Sequence, residues 1–123
     1  MSRRRRAAAG ERGVVTAELA LGLPLLLAVS IGLVWLLAVA AAQIRVVDAA
    51  REAARAVARG DEEASARALA LRIAPEEASV DIATEGAQVT VTSSARVAGP
   101  GGLFDFLPRV MVSSSAVAVM EAP

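Results

Sequence analysis

From Leu19 to Ala42 the chain runs for 24 residues without a charge. That exceeds the ~18 residues at which an apolar run reads as a membrane-spanning helix. At helical rise the run is roughly 36 Å long, enough for a hydrocarbon core of about 30 Å with modest tilt. This one stretch sets the class of the chain, because so long an apolar helix has to be covered by lipid or by other helices. A basic segment precedes it. Residues 1–13 carry Arg3, Arg4, Arg5, Arg6 and Arg12 against Glu11, a net +4, and the remaining residues balance this with −4. Four adjacent arginines can mark a nucleic-acid patch, but beside an apolar helix they read as the positive flank that keeps the N-terminus cytoplasmic. No nucleic acid is expected as a partner.

What the chain lacks narrows its chemistry. It has no histidine and no cysteine, so imidazole acid–base catalysis, thiol nucleophiles, thiolate metal sites and disulfide staples are excluded. Ser113, Ser114 and Ser115 stand in no nucleophile-elbow setting. The glycines of residues 99–102 do not open a helix, so they make no phosphate loop. Asp81, Glu85, Asp105 and Glu121 show no paired spacing suited to acid–base work. The acids Asp61, Glu62 and Glu63 read as a solvated helix start rather than a metal site. No catalytic residue, cofactor, metal or small-molecule substrate is expected, and the chain reads as a non-enzyme.

Several residues around the run stand out. Gly13 is a small residue at its boundary, where an extended backbone could enter a protease site. Glu18 lies at its edge, and a carboxylate in hydrocarbon costs several kcal/mol unless it is paired or reaches back to water. Pro24 removes one backbone hydrogen bond and should kink the helix or loosen its first turns. Ala28 and Gly32 form a small-xxx-small pair that lets a second helix approach closely, although both also suit a lipid-facing surface.

Beyond the run, Gln43 to Arg59 is free of glycine and proline, so the helix is expected to continue outside the bilayer. Val46, Ala50, Ala53 and Val57 make one stripe; Arg51, Arg55 and Arg59 make another at i, i+4 spacing. Asp48 with Arg51 and Glu52 with Arg55 are placed to pair. The arginines read as a solvated face, or else as a docking surface for acidic headgroups or a neighbouring subunit. Gly60 is a natural stop. The acid triplet then caps and starts a second helix with the stripe Ala66, Leu69, Ala70 and Ile73, which Pro75 ends. After Pro75 the period becomes two: Val80 and Ile82, a turn at Glu85-Gly86, then Val89 and Val91. Residues 98–102 are a loop. The Leu103–Pro108 stretch is an apolar patch expected to pack on the strands. Val110, Val112 and Ala116 to Met120 give a last strand interrupted by Ser113 to Ser115. The expected architecture is a membrane-anchored α+β protein: a long N-terminal transmembrane helix extended outside the bilayer, a short second helix, and an antiparallel sheet of about three strands. Its segments are a basic leader (1–13), the span (14–42), the helical extension (43–60) and a small outer domain (61–123).

A basic leader, a glycine, and an acid five residues later at the start of an apolar helix together resemble the class III signal of type IV pilins. Glu18, Leu23-Pro24 and the alanine-rich run from Ala49 to Gly60 resemble the TadE-like family of Tad/Flp pilus-assembly pseudopilins. Leu19 follows the acid here, where family members often carry an aromatic. The resemblance implies that a prepilin peptidase cuts between Gly13 and Val14 and leaves the helix in the membrane. It further implies that Glu18 pairs with the freed amine of Val14, on its own chain or on a neighbour's. The chain would then be a minor pilin or pseudopilin whose partners are other pilin-like subunits and the pilus-assembly machinery. Its N-terminus would be cytoplasmic and its C-terminal domain outside. Two other readings remain. Ala38-Val39-Ala40 and Ala40-Ala41-Ala42 satisfy the A-x-A export-cleavage pattern, which would release a secreted domain. The helix could also be a plain single-pass anchor whose outer domain binds another envelope protein.

Overall fold

The computed structural model describes residues 2–102 and 108–121. The expected apolar patch at Leu103–Pro108, apart from Pro108, lies outside them. In chain order the elements are α1 (Ser2–Ala58), α2 (Glu63–Ile73), β1 (Ser79–Glu85), β2 (Gln88–Val97), a 3-10 turn at Pro100–Gly102, and β3 (Val110–Val119). They form two compact units, Met1–Val34 and Trp35–Pro123.

The first unit is helix alone. The basic leader is helical and exposed: α1 begins at Ser2, and Arg4 onward is exposed. Arginine, alanine and glutamate are strong helix formers, and extending an existing helix avoids the cost of nucleation. Helical assignment also persists through Pro24, which still denies the Ala20 carbonyl its usual donor. The apolar side chains stand in the open; Leu21 is 78 % exposed and Leu25 66 %.

In the second unit α1 changes character. Val46, Ala50, Ala53 and Val57 are all buried, as their spacing predicts. Ala49, Ala54 and Ala56 join them, and together they pack with Ala66, Ala70 and Ala74 around α2 and with Val80, Val89 and Val91 of the sheet. A second cluster joins Ala42 and Val46 to Ala95 and Val112, with Val39 and Val97 packed against it. The helical extension is therefore not a solvated stalk above the domain. It supplies much of the domain's core through its buried alanines and valines.

The end of α1 is sharply made. Gly60 has φ +100°, its N–H donates to the Val57 carbonyl, and the Asp61 N–H donates to Ala56. This is the paired 5→2 and 6→1 closure that a left-handed glycine permits. Glu62 occupies the α2 N-cap without a side-chain hydrogen bond, so the expected acid cap does not form. Asp61 instead meets Arg59 at 3.7 Å.

The sheet is antiparallel in the order β1-β2-β3. Glu85 pairs with Gln88 across a two-residue turn whose first residue, Gly86, has φ +57°. That is where a tight hairpin demands glycine. Along β2, Val89, Val91, Ser93 and Ala95 are buried. β3 differs from expectation: it runs unbroken through Ser113 to Ser115, which pair with Ser94, Ser93 and Thr92. The hydroxyls of Thr92 and Ser115 share a hydrogen bond of 2.9 Å, so polar cross-strand pairs continue the ladder.

The outer edge of β3 meets α1. The Met120 N–H donates to the Ala87 carbonyl, and the alternation of antiparallel ladders then turns the backbone groups of Ser113 away from β2. The Gln43 side chain donates to that Ser113 carbonyl at 3.3 Å. At the other end the Glu121 N–H donates to the Ala58 carbonyl, 3.0 Å, satisfying one of the carbonyls a helix end leaves open. The helix thus guards an edge that would otherwise template pairing with another chain.

Three substitutions test this packing in thermal melts of the full chain in detergent. Ala53→Leu overfills the helix–sheet contact and should cost about 1–3 kcal/mol. Gly60→Ala should cost about 1 kcal/mol from backbone conformation alone, since a Cβ there meets nothing within 4 Å. Ser93 is fully buried and its hydroxyl has no partner among the described residues. Ser93→Ala should therefore leave stability unchanged or raise it by up to about 1 kcal/mol; a clear loss would mean the hydroxyl is satisfied.

Candidate assembly site on the apolar helix

The polar side chains of the first unit fall into two groups. Thr16 and Ser30 donate their hydroxyls to the carbonyls of Arg12 and Leu26, both at 2.8 Å. Each returns its hydrogen to the turn before it, the way a helix carries hydroxyls into an apolar medium. Glu18 has no such recourse. It is exposed, and among the described residues no donor or cation meets it.

Helical geometry brings several of the singled-out residues together. At 100° per residue, Val14, Glu18, Ala28 and Gly32 fall within about 80° of the circumference, with Pro24 about 40° beyond one border and Gly22 about 40° beyond the other. Gly22 lies on the same face; its i+4 offset from Glu18 was the signal available, overlooked beside the more obvious Ala28 and Gly32 pair. A Cβ built at Gly22 or Gly32 meets nothing within 4 Å, so the face is open for a second helix. Val14 stands one turn before Glu18, about 6 Å along the axis.

Gly13 is helical, within α1. A protease that needs extended backbone would have to open the helix locally. Gly10 and Gly13 favour this, each weakening the helix by about 1 kcal/mol relative to alanine.

Arg51, Arg55 and Arg59 belong to the other unit and are exposed. Arg55 meets Glu52 at 3.9 Å and Arg59 meets Asp61. With both members of each pair well exposed, such contacts contribute little to stability. Among the described residues no group of three or more acidic side chains could hold a metal ion. One helix, Arg4–Ala58, is long and apolar enough to cross a membrane.

The family model for TadE-like proteins matches residues 13–55. The match opens at Gly13, takes in Glu18 and the whole uncharged run, and closes among the buried alanines of α1. No curated protein and no solved structure matches the chain.

Proposed function

Taking the TadE-like match as premise, we propose that the chain is a pilin-like subunit, a minor pilin or pseudopilin, that takes part in assembling a Tad/Flp-type type IV pilus. Its role is structural rather than catalytic. α1 holds it in the membrane as a single-pass anchor, with the basic leader in the cytoplasm and the sheet domain outside. A prepilin peptidase removes the leader after Gly13, and the face carrying Glu18, Ala28 and Gly32 packs against other pilin-like helices.

The observation that carries this reading is Glu18, a carboxylate on an exposed face of an apolar helix with no partner among the described residues. Cleavage before Val14 would create a partner: a free ammonium at the new helix start, where it stands unfavourably at the positive end of the helix dipole. A carboxylate one turn away offsets that charge, and the ammonium in turn relieves the cost of placing Glu18 in hydrocarbon. The exported-domain reading has less support. Cleavage after Ala40 or Ala42 would remove Val39, which packs on the cluster of Val46, Ala95 and Val112, and the cut after Ala42 would remove Ala42 as well.

Intact mass and N-terminal sequencing of protein purified from its native membrane should find a chain that starts at Val14 and keeps the apolar helix. A start at Ala41 or Gln43 would overturn the reading in favour of export, and an uncut leader would leave a plain anchor. Glu18→Ala should insert normally yet be recovered with the pilus machinery at about a tenth of the wild-type level or less, equivalent to ~1.4 kcal/mol or more of lost association. Wild-type recovery would remove the carboxylate from the mechanism.

A further inference from the structure

We propose that the groove where α1 leaves its uncharged run is a headgroup site for an anionic phospholipid. The groove has a volume of about 410 Å³, and its wall is made by Ala38, Ala41 and Ala42 of α1. Two guanidinium groups stand at it, Arg45 from α1 and Arg96 from the far end of β2, together with Glu76 from the turn after α2. Arg45 is the first charge after the run, about 4.5 Å of rise beyond Ala42. With the run in hydrocarbon, the two arginines stand at headgroup depth.

The fold brings Arg96 to Arg45 across fifty residues of chain, and neither has an ion-pair partner among the described residues. Arg55, Arg59 and Arg109, by contrast, each meet an acid. Guanidinium groups match phosphate oxygens in a planar fork, and the alanine wall gives the first methylenes of an acyl chain a flat apolar surface. Glu76 leaves the groove a net +1, which selects a lipid of net negative charge over a zwitterionic one. This inference rests on the membrane placement of α1 and not on pilus assembly.

The test is native mass spectrometry of the full chain in detergent, titrated with phosphatidylglycerol or with phosphatidylcholine of the same acyl chains. Phosphatidylglycerol should be retained preferentially. Arg45→Gln with Arg96→Gln should weaken its retention by about 25-fold, roughly fivefold for each charge, and leave phosphatidylcholine unchanged. Arg51→Gln, outside the groove, should have no effect. Glu76→Gln keeps both arginines and should tighten retention, which tests the site even if the double variant folds poorly. Equal retention of the two lipids, or the same loss from Arg51→Gln, would overturn the proposal. So would displacement by millimolar inorganic phosphate, which would identify a free anion, or an arginine-dependent dimer without lipid preference, which would identify a second copy. Flotation with vesicles separates the premises. A chain that fails to float has lost the membrane reading itself, whereas one that floats without headgroup preference has lost only this site.

Discussion

A ladder of i→i−4 hydrogen bonds, missing one rung at Pro24, carries α1 through two kinds of surroundings, and much of the molecule depends on it. Backbone groups satisfied within the helix need nothing from a neighbour, so the first unit can stand without protein cover. The same ladder then becomes the second unit's main support. It brings Ala49, Ala50, Ala53 and Val57 onto the sheet and offers the Ala58 carbonyl to Glu121. A three-stranded sheet with a single short helix has little core of its own. Here α1 makes up that deficit, which makes the domain and the helix that carries it one folding problem.

This sharing bears on where the bilayer can meet the protein. Val39 and Ala42 lie within the uncharged run, yet they pack with Ala95, Val97 and Val112. The outer end of the run is thus covered by protein at Val39 and Ala42, while Ala38, Ala40 and Ala41 remain exposed. A carboxylate at the edge of an apolar run is costly unless it is paired or reaches water, which gives the pairing proposed for Glu18 a physical reason beside the family resemblance.

Most of the architecture was legible where the chemistry has one reading. Period-two valines marked β1 and β2, Gly60 marked the end of α1, and Gly86 marked the hairpin. The stripe of Val46, Ala50, Ala53 and Val57 was legible as a stripe, but not what it covers, because alanine serves equally in a solvated helix and in a tight contact. The serines of β3 were misread as a break, since serine favours turns in isolation and only the facing Thr92, Ser93 and Ser94 make it a strand residue here. The contact between Gln43 and Ser113 is a long-range pairing with no local signature. At the candidate site, Glu18, Ala28 and Gly32 were visible as individual oddities. Their common face follows only once the helix is known to run continuously past Pro24.

Among the described residues, the largest fully buried side chains in the second unit are valines and a serine. Burying such small side chains removes little apolar surface per residue from water, and exposing them changes the heat capacity correspondingly little. A small heat-capacity change flattens the curve of stability against temperature. The domain should hold a modest stability that varies slowly over a broad range, without a pronounced optimum, and cooling should do little to loosen it.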